Sequence, residues 1–100
     1  MALKVVFTVG DNDHGPYEVG SMASWERFAD WVNSLPKTYW ALKTLVMRGE
    51  WSDTLGLSED LRAAMKDHPS FDADIDSVAC ALEESLGKGM RDETVMVLSS

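Results

Sequence analysis

The two segments with the strongest strand character stand at opposite ends of the chain, and this placement limits the fold more than any other feature. Near the start, Leu3, Val5, Phe7 and Val9 alternate with Lys4, Val6 and Thr8, the period of a half-buried β-strand. Near the end, Thr94-Val95-Met96-Val97-Leu98 is a second β-rich run. Left alone, each would expose an unpaired edge; paired with one another, they bury an apolar face against whatever the middle of the chain forms. Residues 10–16, Gly-Asp-Asn-Asp-His-Gly-Pro, read as a turn, and Tyr17-Glu18-Val19 as a short return strand that makes a loose hairpin.

The middle of the chain carries helical spacing. Ser24 is placed to cap a helix bearing Trp25, Phe28, Ala29, Val32 and Leu35 on one face, with Glu26 in its first turn and Pro36 ending it. Residues 38–48 have strand propensity, but Leu45-Val46-Met47 breaks strict alternation. The favoured reading is a helix capped by Thr38, with Leu42, Leu45 and Val46 as its stripe and Gly49 at its C-terminal cap. Ser52, Asp53 or Thr54 caps the next helix, which carries Leu57, Leu61, Ala64 and Met65 and ends before Pro69. A last helix follows the Asp72-Ala73-Asp74 turn, with Ile75, Val78, Ala79, Leu82 and Leu86 aligned and Gly87 as the expected stop. The expected fold is α+β: one domain over residues 1–100, with a small sheet of two or three strands pairing the N- and C-terminal strands, packed against three or four helices.

Cys80 is the only cysteine, so an intramolecular disulfide and a cysteine zinc cluster are both excluded, as suits a reducing compartment. No stretch has the character of a signal peptide or the length of a membrane span, and the expected setting is the cytoplasm, with no membrane partner. The formal net charge is −8, and its placement is uneven. Residues 1–49 balance five acids against five bases, whereas residues 50–76 set eight acids against Arg62 and Lys66. Such a surface repels phosphate backbones, which argues against nucleic acid, and attracts basic protein surfaces.

Several motifs approach a chemistry without completing it. Asp72, Asp74, Asp76 and Glu83 fall at positions 1, 3, 5 and 12 of a calcium loop, yet Ser77 stands where that loop needs glycine. An apolar helical stripe also runs through the segment. The first turn of a helix favours acids without any ion. Asp11, Asp13 and His14 could ligate a divalent cation, but His68 is the only other histidine and a polar turn accounts for the same residues. The serines lack a Gly-x-Ser-x-Gly setting, and Gly87-Lys88-Gly89 lacks phosphate-loop spacing. Cys80 has Asp76 and Glu84 one turn away on either side, which disfavours a thiolate. No catalytic residue and no cofactor site is assigned, and the expectation is a protein that is not an enzyme.

The four tryptophans all lie within residues 25–51. Trp25 falls on an apolar stripe, whereas Trp31 and Trp40 fall off theirs and Trp51 follows a Gly-Glu turn; the three could form a partner-binding patch. The leading expectation is therefore a small acidic protein-interaction domain. Its candidate contacts are Trp31, Trp40 and Trp51, or Glu59, Asp60, Asp72, Asp74 and Asp76 of the acidic segment. An acidic inhibitor of a basic partner is a special case of it. The alternative is a small metal- or ligand-responsive domain using Asp11, Asp13 and His14 or the Asp72 cluster. Either terminal strand could also pair across a twofold axis, so a homo-oligomer is compatible with the sequence.

Overall fold

The computed structural model describes residues 2–9, 12–88 and 94–99. The fold is α+β, with one antiparallel sheet and its helices gathered on one face. Strand β1 (Ala2–Val9) runs between β2 (Asn12–Ser21) and β4 (Thr94–Ser99), and a two-residue β3 (Glu50–Trp51) completes the order β2-β1-β4-β3. The two ends of the chain are thus central neighbours in the sheet, as their patterning requires. Leu3 pairs with Ser99, Val5 with Val97 and Phe7 with Val95. Because side chains alternate along a strand, these positions share one face; Leu3, Val5, Phe7 and Val95 are buried on it. The other face carries Lys4, Val6 and Thr8 opposite Leu98, Met96 and Thr94.

Helices α1 (Met22–Asn33), α2 (Trp40–Arg48), α3 (Thr54–Asp67) and α4 (Ala73–Lys88) supply the other half of the core. Phe28, Val32, Leu42, Leu45, Leu57, Leu61, Val78 and Leu82 are almost completely inaccessible to solvent and join the sheet residues in one cluster. Helix α4 lies against β2 and touches both α1 and α3, and α2 packs on α3. No helix of the described residues is long and apolar enough to cross a membrane.

Local details depart from the sequence reading at several places. Residues 10 and 11 lie outside the described residues, but Asn12 to Pro16 belong to β2 rather than to a turn. The ladder continues to the tip of the hairpin, where His14 pairs with Phe7 and Thr8 donates a 3.0 Å hydrogen bond to Asp13. Pro16 is tolerated because β2 is an edge strand and its ladder with β1 is interrupted here, leaving Gly15 and Pro16 without a register partner between His14 and Tyr17. Helix α1 is capped by Ser21, not Ser24: the Ser21 hydroxyl accepts the Ser24 amide at 3.1 Å, because β2 runs directly into the helix. Thr38 does not cap α2 but lies in a 3-10 turn over Lys37–Tyr39. Gly87 does not stop α4, which continues to Lys88 while Ser85 and Leu86, buried in the last turns, hold it to the core. Asp53 caps α3 and Gly49 closes α2 in a left-handed conformation at φ 76°, both within the range of the sequence reading.

Candidate functional site

The structure divides the three candidate tryptophans. Trp31 is half-buried at the end of α1, its ring 5.7 Å from that of Phe28, and its indole N–H donates to the His68 carbonyl at 3.1 Å. Trp40 and Trp51, by contrast, meet edge to face, with ring centroids 4.9 Å apart and planes at 89°. This is a favoured geometry for two aromatic quadrupoles. Trp51 is half-buried, with its indole N–H buried and lacking an acceptor among the described residues. Trp40 remains 61% exposed and Met47 76% exposed. Both project from α2 at the i and i+7 positions of one outward stripe, with Lys43 and Thr44 between them.

Below this stripe, α2 and the sheet edge enclose a shallow groove of about 310 Å³ lined by Thr44, Arg48, Glu50, Trp51, Ser52 and Thr94. The local fold makes the groove for identifiable reasons. Gly49 reverses the chain immediately after α2, and its carbonyl accepts from Val97 at 2.7 Å. That bond delivers Glu50 and Trp51 onto β4 as β3, with Trp51 facing inward beside Val95 and Glu50 opposite Met96 on the outer face. The signal for β3 in the sequence is nearly absent, because two residues cannot display a strand period.

The acidic candidates have diverse surroundings. Asp60, on α3, accepts the amides of Ala41 and Leu42 at 3.1 and 3.4 Å and so caps α2 from a distance. Asp72 caps α4 by accepting the amides of Asp74 and Ile75 at 2.9 and 3.4 Å, and it also pairs with Arg27 of α1. Burial pushes the Asp72 carboxyl up, but those two amides and the Arg27 guanidinium outweigh it and hold the group below its ordinary value. Asp74 reaches the same Arg27 at 3.3 Å, and Asp76 accepts the Ser70 hydroxyl at 2.9 Å. Glu59 is exposed and makes no hydrogen bond or ion pair among the described residues. The would-be calcium loop is thus the first turns of α4, and Glu83 points to Arg62 on α3, at 2.8 Å.

Of the other cation candidates, Asp11 lies outside the described residues. Asp13 and His14 are successive strand residues paired with Thr8 and Phe7, so they belong to opposite faces of β2. Among the described residues, no group of three or more His, Cys, Asp and Glu side chains gathers in a metal-ligating arrangement. Cys80 is exposed on α4 beside Arg62, Glu83 and Glu84, which line a surface depression of about 480 Å³.

One further exposed aromatic escaped the sequence reading. Phe71, in the connection between α3 and α4, is 91% exposed and holds φ at 56°, an uncommon conformation for a bulky residue. It immediately precedes the Asp72 cap, where an apolar residue often packs on the fourth helical position; here that position is Asp76 and offers no apolar partner. The chain matches no protein-family model, no curated protein and no solved structure.

Proposed function

We propose that the chain is a small protein-interaction domain, not an enzyme, that docks a partner protein on the outer face of α2 around Trp40. The observation that carries this reading is the Trp40–Trp51 pair: one indole is braced by the other, yet 61% of Trp40 is open to solvent, with exposed Met47 two turns further along the same helix. Tryptophan, methionine and arginine are the side chains enriched at protein interfaces, and tryptophan is prominent among the few that dominate binding energy. A braced ring loses little freedom when a partner covers it, so more of the contact energy is retained as affinity. The adjoining groove, with Thr44, Ser52 and the β3 backbone, offers hydrogen-bonding groups at the rim.

Within this proposal the cell interior is the setting, which keeps Cys80 reduced. The acidic segment contributes solubility and helix capping more than contact. That assignment is supported by the internal partners of Asp60, Asp72, Asp74 and Asp76.

The test is affinity purification of the tagged chain from its native cells beside Trp40→Ala and Glu59→Gln variants, with bound proteins identified by mass spectrometry. A stoichiometric partner retained by Glu59→Gln and lost by Trp40→Ala is the expected result. A partner indifferent to Trp40 but lost with Glu59, or at high salt, would move the working surface to the acidic segment.

A further inference from the structure

We infer that the segment docked on the α2 face is acidic as well as apolar: it places carboxylates on either side of apolar side chains that cover Trp40 and Met47. This rests on the docking reading above and adds the chemistry of the partner. Residues 37–48 contain Lys37, Lys43 and Arg48 and no Asp or Glu, within a chain whose net charge is −8. The segment that exposes Trp40 and Met47 therefore carries only positive charge of its own, and the acids that reach it come from other elements: Asp60 accepts the Ala41 amide, Asp67 accepts the Tyr39 hydroxyl and Glu50 lines the groove.

Its cations are also available. Arg27 is engaged by Asp72 and Asp74, and Arg62 by Glu83. Among the described residues, neither Lys37 nor Arg48 makes an ion pair, and both are exposed; Lys43 donates to the Asn33 carbonyl at 3.2 Å. Arg48 in the last turn of α2 is accounted for by the helix dipole. Lys37 is not, because it precedes the N-terminus of the same helix, where the dipole disfavours a cation.

The two charges bracket the Trp40–Met47 stripe, and Arg48 also lines the groove, where Glu50 is the one acid. A guanidinium there can take a carboxylate in bidentate fashion, and like-charged partners would be turned away. A phosphate backbone is less suited, because three local cations stand in a strongly acidic molecule.

The experiment is selection from a random peptide display library on the full chain, run in parallel on Trp40→Ala and on the double variant Lys37→Glu/Arg48→Glu. All three positions are exposed, and circular dichroism verifies that each variant is folded. Peptides retained by the unaltered chain and lost by Trp40→Ala should combine Asp or Glu with an apolar residue. Their affinity, read by tryptophan fluorescence titration, should fall about tenfold or more with the double charge reversal.

Trp40-dependent peptides that are basic or neutral would overturn this inference and leave the docking reading standing. Absence of any Trp40-dependent peptide would overturn the docking reading, and this inference with it. Concentration-dependent self-association in sedimentation, abolished by Trp40→Ala, would make a second copy of the chain the occupant and also overturn the inference.

Discussion

Asp60 stands eighteen and nineteen residues after the two amides it receives, and it replaces the local cap that α2 lacks. Its removal should therefore act on a helix it does not belong to. Asp60→Ala should lower stability by roughly 1 kcal/mol, the usual cost of losing a helix cap. The check is a urea midpoint that falls with an unchanged slope; a midpoint equal to that of the unaltered chain would refute the capping role. Asp72 makes a different kind of test, because its carboxyl is held below its ordinary value of 3.8. A carboxylate lowered in the folded state stabilises the protein above the unfolded value, and that contribution disappears as pH falls through the folded one. Asp72→Asn keeps an oxygen able to cap α4 but removes the charge that faces Arg27. The stability difference between the two proteins should thus be present near neutral pH and close as acid titrates the carboxylate. A difference that stays constant down through that range would contradict the assignment.

The join between β2 and α4 includes one close approach at a glycine. Gly20 holds φ at +145°, and a β-carbon added there would lie 3.1 Å from the Val78 Cγ2 atom of α4. Gly20→Ala should destabilise the fold by roughly 1–3 kcal/mol through backbone strain and overpacking together. Combining it with Val78→Ala should cost less than the two changes added, because the clash is removed while the strain remains. Thermal melts of the four proteins measure this directly, and strict additivity would show that the close approach is unimportant. The elements themselves were legible in the sequence to different degrees. The helical stripes of α1, α3 and α4 and the alternation of β1 are local periods, and they reappear as buried faces. For residues 38–48, helix and strand readings competed, and the helix prevails because Ala41, Leu42 and Leu45 all meet the core on one side. Helix starts were less legible: Ser21 and Asp60 cap positions for which Ser24 and Thr38 looked suitable, since capping depends on where the preceding element ends.

Across the whole molecule, a net charge of −8 repels itself, and eight of the acids lie within residues 50–76. Among the described residues, the ion pairs that oppose this repulsion are those of Arg27 and Arg62, both exposed cations, so their contribution is modest. Raising ionic strength from about 0.01 M to about 0.15 M, which shortens the screening length from roughly 30 to roughly 8 Å, should therefore raise the melting temperature. A fall would mean that the Arg27 and Arg62 pairs outweigh the general repulsion. The joining of the chain ends into one sheet, the position of the helices on one face of it and the acidic excess all follow from order, period and composition, which are properties of neighbouring residues. The docking face is of another kind. Trp40 and Trp51 come together only because Gly49 turns the chain and β4, arriving from the far end, receives the strand that follows. The same dependence on distant segments makes Asp60 a cap and Asp72 the partner of Arg27. Whether an exposed-looking side chain in the sequence is a support or a free surface is set by contacts between remote parts of the chain, and no local pattern encodes them.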